Sequence, residues 1–254
     1  MDRRSFFMAG AGAAATGLSV ASRAAYAAAP ATRESPSIFD FGAVGDGVTD
    51  DSAAFSKALA VAAAQGHMIT VPSFSYAIAK PIAFTSSGNS VRAWGLQCQG
   101  ATLVSKITSG DDVMSLTSRN VVRYFRLVGG LTIQASGADG NGLRIFAPGG
   151  PYGFYNALIE GLSVERAGGH GLLFEGNVFE STVVNSYFQD CKKNGATFAH
   201  SKGGICSAIS IVGSYFNQNG VYGMAATNLD APGGGATDIR VYGGYCRDNK
   251  SYGF

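Results

Sequence analysis

Through the second half of the chain the apolar positions come in short runs, broken by Gly, Asn and charged residues, and the runs recur. Aligned on a glycine, four segments read IEGLSVERAGGHGLLF (159–174), VVNSYFQDCKKNGATF (183–198), IVGSYFNQNGVYGMAA (211–226) and VYGGYCRDNKSYGF (241–254); their starts step by 24, 28 and 30 residues. The first column is β-branched (Ile159, Val183, Ile211, Val241) and the third is Gly or Asn (Gly161, Asn185, Gly213, Gly243). The fifth is Tyr in three copies (Tyr187, Tyr215, Tyr245), the sixth is apolar (Val164, Phe188, Phe216, Cys246) and the thirteenth is always Gly (Gly171, Gly195, Gly223, Gly253). An earlier copy, GLTIQASGADGNGLRIF (130–146), carries two extra residues before Gly142. A repeat of about 20–30 residues signals stacked rungs. Within each copy there is no helix-length periodicity, only β-branched and aromatic runs between turn residues. The pattern predicts an all-β chain wound as a parallel β-helix, with strands ~4.8 Å apart from rung to rung. Gly and Asn suit its turn columns because they tolerate positive φ. The leucine ladder of a leucine-rich repeat is missing.

One stretch breaks the pattern. GVTDDSAAFSKALAVAAAQG (47–66) places Phe55, Leu59 and Ala62 on one helical face. A stacked coil has raw ends with unpaired strand edges and exposed core, so this helix is predicted to cap the N-terminal end. Thr49 or Asp50 would be its N-cap, Asp50 and Asp51 would sit at the positive end of its dipole, and Gly66 would stop it. The strand–turn–helix–strand module spans about 36–80, and the clear repeats span about 130–254. At the other end the fourth aligned rung reaches its glycine at YGF and no closing cap follows. The expectation is an incomplete C-terminal end, or one covered by another subunit, with catalytic residues beyond Phe254 an open possibility.

Composition fits this picture. Of 254 residues 36 are Gly, and charged residues are 14% against about 25% in an average domain. The first 29 residues read as a separate object. Arg3 and Arg4 precede Phe6 and Phe7, a mildly apolar Ala/Gly stretch follows, and ASRAAYAAAP closes it. These are the parts of an export signal, and the paired arginines resemble the twin-arginine type. The apolar run is shorter than the ~20 residues of a membrane span. Cleavage near Ala27 or Ala29 would leave residues 30–254 in the periplasm or secreted, with the twin-arginine export machinery as a partner. It would remove three arginines and Asp2, taking 19 cations and 17 anions to 16 and 16. A neutral domain lacks the electrostatic footprint of a nucleic-acid binder.

Cys98, Cys191, Cys206 and Cys246 are even in number, which permits disulfides in an exported chain; buried apolar packing is the alternative. Without a Cys-x-x-Cys pair a zinc site is not expected. With His67, His170 and His200 the complete set of histidines, neither is a histidine-rich metal centre. No cofactor is expected; calcium stays open as an alternative, without a decisive site for it.

FDFGAVGDGVTDDSAAFSKAL followed by ITVPSFSYAI resembles the opening module of the pectate lyase superfamily, which includes polygalacturonases, rhamnogalacturonases, exopolysaccharide lyases, epimerases and phage tailspikes. The resemblance implies a right-handed parallel β-helix acting on an acidic or complex polysaccharide. It leaves the reaction open, because one scaffold carries many activities. Polygalacturonases carry a Gly-His-Gly motif that Gly169-His170-Gly171 resembles. The departures are several: Asp111–Asp112 lies about two coils too early for the paired aspartates, and neither Asn-Thr-Asp nor Arg-Ile-Lys is present. The repeat gives His170 a second reading, since it shares the twelfth column with Asn194, Tyr222 and Tyr252.

Candidate chemistry lies in the polar columns. The seventh holds Glu165, Gln189, Asn217 and Arg247; the eighth holds Arg166, Asp190, Gln218 and Asp248. Asp190 and Asp248 are two rungs apart, roughly 9.6 Å at the strand spacing, at the edge of the ~6.5–9.5 Å range of inverting glycosidases. A lyase would instead need a base and cations to neutralise the substrate carboxylate, for which Arg166, Lys192 and Lys193 are candidates. Equally, Arg166 and Asp190 could form a salt-bridged ladder. Tyr187, Tyr215 and Tyr245 stack along one side of the coil. If outward they form an aromatic strip for sugar faces; if inward they fill the core. The sequence thus points to an exported carbohydrate-active protein, either a polysaccharide lyase or a glycoside hydrolase. The alternatives are a non-catalytic polysaccharide-binding or tailspike-like adhesion protein, trimeric if tailspike-like, and an inactive fragment of an enzyme.

Overall fold

The computed structural model describes residues 35–201, 203–229 and 236–253; the export signal proposed for residues 1–29 lies outside them. The chain is a parallel β-solenoid of about seven turns. Among the described residues three sheets of eight, six and ten strands run along it. Each turn adds one short strand to the first sheet, as Leu162–Glu165, Tyr187–Gln189, Tyr215–Asn217 and Tyr245–Arg247 do. It then adds one to the second, as Leu172–Gly176, Ala196–His200 and Met224–Asn228 do. The third sheet receives the return, as in Leu158–Glu160, Thr182–Val184 and Cys206–Val212. Neighbouring strands pair in parallel, and the sequence columns are the register: Val164, Phe188, Phe216 and Cys246 lie opposite one another in successive rungs.

Strand alternation sends that sixth column inward. Phe188 and Phe216 stack with centroids 5.5 Å apart, Phe174 meets Phe198 edge-on at 5.5 Å, and Trp94 packs between Phe84 and Phe125. The turns explain the rest. The third column is left-handed, as expected, with φ of 68°, 46°, 57° and 69° at Gly161, Asn185, Gly213 and Gly243. The eighth column is left-handed too, although it holds no glycine: Arg166, Asp190, Gln218 and Asp248 have φ of 62°, 53°, 53° and 53°. The thirteenth column departs from expectation. Its glycines are required by close approach, because a Cβ on Gly171 or Gly195 would stand 2.6 Å from the carbonyl oxygen of the glycine one rung on.

Side chains also join the turns. Asn219, fully buried, accepts the Cys191 N–H at 3.2 Å and donates to the Phe188 carbonyl at 3.1 Å. Asn249 receives the Asn219 N–H at 3.0 Å and donates to the Phe216 carbonyl at 3.0 Å. Ser186 and Ser214 accept the N–H groups of Leu162 and Ser186 in the same way.

The helix α1 (Ser52–Gln65) buries Phe55, Leu59 and Ala62 in the same core and ends at left-handed Gly66, as predicted. Its start differs from the expectation of Thr49 or Asp50 as N-cap. Asp51 holds that position without a side-chain bond to the helix, because its carboxylate is turned back to accept the N–H groups of Val44 and Gly45 at 2.6 and 3.2 Å. Asp50 accepts from the N–H groups of Ser52 and Ala79, both at 3.1 Å. Both aspartates are structural pins. The cysteines are free: Cys98, Cys191 and Cys206 are buried and Cys246 is partly so, so the packing alternative holds over the disulfide one.

Asn219→Ala strands the Cys191 N–H and the Phe188 carbonyl in the interior, and unpaired buried groups cost ~1–3 kcal/mol each. Denaturant unfolding of this variant should show a loss of about 2–4 kcal/mol; a loss under about 0.5 kcal/mol would remove the ladder from the account. Burial pushes the thiols of Cys98, Cys191 and Cys206 up to about 12, so alkylation of the native protein should spare all three, whereas the unfolded chain should take label at four sites.

Candidate functional site

In the first sheet, the residues flanking the inward sixth column point to solvent. Tyr187, Tyr215 and Tyr245 therefore form an outward strip in register over three rungs. Ring centroids are 6.4 Å apart for Tyr187–Tyr215 and 4.5 Å, edge to face, for Tyr215–Tyr245. Exposure rises to 37% at Tyr215 and 48% at Tyr245. Beside the strip runs the seventh column, Glu165, Gln189, Asn217 and Arg247, also in register. Asn217 Nδ2 donates to the Tyr187 hydroxyl at 3.3 Å. Tyr215, Tyr245 and Arg247 are exposed and Tyr187, Glu165, Gln189 and Asn217 half-buried on the same outer side, and aromatic faces next to polar groups present the contacts that a sugar ring needs.

Asp190 and Asp248 are exposed in the left-handed turns that border this face, two rungs apart, with Gln218 between them. Asp248 pairs with its neighbour Arg247 at 3.0 Å. The expected salt bridge between Arg166 and Asp190 is not formed: both are exposed, and among the described residues neither has an ion-pair partner. Water solvates both groups, so little is lost by leaving them apart. Lys192 and Lys193 are exposed on the turn leading to the second sheet.

His170 lies elsewhere, in a hydrogen-bonded ladder through the twelfth column. Its backbone N–H donates to Asn141 Oδ1 at 2.8 Å, the Asn194 N–H donates to its Nδ1 at 3.3 Å, and the Tyr222 N–H donates to Asn194 Oδ1 at 3.1 Å. Asn194 Nδ2 also donates to Thr197 Oγ1 at 2.9 Å, which leaves that hydroxyl to donate to His170 Nδ1 at 2.8 Å. Nδ1 is thus an acceptor twice over and the ring is neutral. Burial, with a smaller contribution from Lys193, pulls its pKa down to about 4.

A second polar cluster was not singled out from the sequence. On the outer side of the second sheet Arg144 Nη2 and Nε donate to Glu175 Oε2 at 2.6 and 2.8 Å. The other Glu175 oxygen accepts from Ser201 Oγ at 2.7 Å. Arg144 Nη1 lies 3.9 Å from Asp112 Oδ2, and Asp112 Oδ1 accepts from the N–H and Nδ2 of Asn141 at 2.9 and 2.7 Å. Burial raises the Asp112 pKa. Column reading passes over the cluster because its members do not share a column: Arg144 is level with Ser115 and Leu173, and its long side chain reaches across to Asp112 and Glu175 on the rungs either side. Both Glu175 oxygens are occupied, so the cluster clamps neighbouring rungs together. Among the described residues no group of three or more His, Cys, Asp or Glu side chains is arranged to hold a metal ion.

The sign of the His170 effect is definite. The folded pKa lies near 4 and the unfolded value near 6.5, so the unfolded chain binds the extra proton between them. Stability is complete above pH ~6.5 and falls as the pH drops toward 4, by about 3 kcal/mol at most. In His170→Asn, which puts the Asn of neighbouring rungs into the same column, that slope should largely vanish from melting curves taken across this window. An unchanged slope would contradict the neutral-ladder assignment.

Residues 36–122 match the family model described as rhamnogalacturonase A/epimerase, pectate lyase-like. No curated protein matches the sequence. Among solved structures, ORF18 of Geobacillus virus E2 is similar with a TM-score of 0.57 and 18% identity over 83% of this chain and 47% of that one. The A-module of a mannuronan C-5 epimerase from Azotobacter vinelandii gives 0.53 and 18% over 82% and 63%. The catalytic unit of an alpha-1,3-glucanase from Streptomyces thermodiastaticus gives 0.55 and 19% over 88% and 42%. The chain spans less than two thirds of each of these, and at such identities the likeness is one of fold. Residues 36–122 thus carry a pectate lyase-like domain match, within a chain that is a parallel β-solenoid.

Proposed function

We propose that this protein binds a polysaccharide chain along the outer face of the first sheet, with Tyr187, Tyr215 and Tyr245 as the stacking platform and Gln189, Asn217 and Arg247 as its hydrogen-bonding border. The observation that carries the reading is the outward, in-register placement of the three tyrosines. Three rungs span two strand spacings, ~9.6 Å, about two sugar units. Support of a general kind comes from the fold's neighbours, which include a mannuronan epimerase and an alpha-1,3-glucanase. In this reading the coil winds right-handed, the hand of nearly all parallel crossovers, and α1 covers its first rung. The Arg3–Arg4 leader supports action in the periplasm or outside the cell.

The catalytic extension of the proposal is hydrolysis or elimination by exposed groups beside the strip. Asp190 is the leading candidate because its carboxylate is exposed and free of an ion pair, whereas that of Asp248 is paired with Arg247. His170 is assigned no proton-transfer role, since its Nδ1 is occupied by the Asn194 N–H and the Thr197 hydroxyl. Lys192, Lys193 and Arg166 are assigned to substrate charge.

The platform is tested by replacing the three tyrosines with Ala and measuring binding to polygalacturonate, alginate and neutral exopolysaccharide fragments. At ~0.5–1.5 kcal/mol per aromatic contact, affinity should fall by about 2 kcal/mol or more, over tenfold. Unchanged affinity with a lowered melting temperature would make the tyrosines structural. In the same incubations, unsaturated chain ends would identify a lyase and reducing ends without them a hydrolase, either abolished by Asp190→Asn. Binding without either product would leave the adhesion reading.

A further inference from the structure

A cavity of about 230 Å³ opens between the second half of α1 and the turn after the strand Ile82–Thr85. Its helix wall is made of the methyl groups of Ala60, Ala63 and Ala64, with Phe84 alongside; Asn89 and Ser90 stand on the turn side. A smaller cavity of about 140 Å³ continues along the helix and shares Ala63, Ala64, Asn89 and Ser90. The turn is held by its neighbours. Ser86 Oγ accepts from the Arg119 N–H at 2.8 Å and Asn89 Oδ1 from the Val121 N–H at 2.9 Å. The Ser90 backbone donates to the Val121 carbonyl at 3.0 Å and accepts from the Arg123 N–H at 2.8 Å. One polar group is left over: Ser90 is 7% exposed, and its Oγ is sealed from water with no hydrogen-bond partner among the described residues. Native structures seldom leave a buried hydroxyl unmatched. A turn about χ1 between staggered wells is the motion that would present this one to the cavity.

We propose that the larger cavity is a subsite for one neutral pyranose ring. The residues lining it carry no charge, which disfavours an ionic ligand. Its volume is below the ~300–1,000 Å³ of pockets for drug-sized ligands. It equals about eight waters at ~30 Å³ each, room for a single ring rather than an oligosaccharide. Small methyl groups let a ring face approach the helix, while the turn supplies hydroxyl and amide partners for the sugar hydroxyls, Ser90 Oγ among them. The site belongs to the first turns of the coil and the tyrosine strip to the last, so it stands independently of the strip.

The test is a titration of the full chain with the methyl glycosides of glucose, galactose and mannose, followed by ligand-observed NMR. At least one should bind with a Kd in the millimolar range. Ala64→Leu, at an exposed helix position that keeps the fold, should abolish the binding by filling the cavity. Ser90→Ala should weaken it about three- to tenfold, and the triple tyrosine variant should leave it unchanged. The proposal is overturned if none of the glycosides binds, or if binding survives Ala64→Leu in protein whose melting temperature is native. It is equally overturned if binding is lost with the tyrosines instead. Failure of the strip reading would show separately, in oligosaccharide binding that the triple tyrosine variant does not affect.

Discussion

A parallel coil has no hairpins, so the hydrogen-bonding groups of each rung are met by the rungs before and after it. That requirement governs this molecule. The Leu172 N–H reaches Gly195, the Ala196 N–H reaches Gly223 and the Met224 N–H reaches Gly253, all at 2.9–3.0 Å. Backbone can do this only where successive rungs have the same shape. At the turns, where strand pairing lapses, Asn219, Asn249, Ser186, Ser214 and His170 supply the missing acceptors. Repetition in the sequence is therefore the direct imprint of hydrogen-bond satisfaction between turns.

The same constraint explains which parts of the fold were legible from residues. Apolar, β-branched and tyrosine columns are set by strand alternation, so their spacing read out the register that the structure has. Gly161, Asn185, Gly213 and Gly243 announced a left-handed turn by residue type. Arg166, Asp190, Gln218 and Asp248 adopt the same conformation without announcing it, because the surrounding turn imposes it at a cost of about 1–2 kcal/mol for a side chain with a Cβ. The Gly171 column was visible but its cause was not: close contact across rungs is a tertiary property, and no φ preference encodes it. The roles of Asp50 and Asp51 were hidden for a related reason, since the partners of Asp51 in the preceding loop and Ala79 beside Asp50 come together only on folding.

At the candidate site, residue type and column identified the polar surface, while direction and pairing needed coordinates. Whether the tyrosines faced out, and whether Arg166 met Asp190, depended on strand phase and turn geometry. His170 shows the opposite situation. A motif-like Gly-His-Gly arises there from two independent ladder requirements, a close-packed glycine and an acceptor for the next rung's N–H. The Asp112–Arg144–Glu175 cluster carries charge but offers no free carboxylate oxygen at Glu175, so charge density is a poor guide to chemistry on this scaffold. The exposed face, where hydrogen-bond demands between rungs are already met by backbone, is where side chains are free to meet a ligand.

Native-state amide hydrogen exchange tests the ladder account most directly, because local opening reports how each group is held. The N–H groups of Ser186, Cys191 and Asn219, which donate to side-chain oxygens one rung on, should exchange as slowly as amides of the core strands around Phe188 and Phe216. Exchange at these three positions as fast as in the exposed turn at Ser87 and Gly88 would contradict it, leaving the turns unlinked and the repeat without its physical cause.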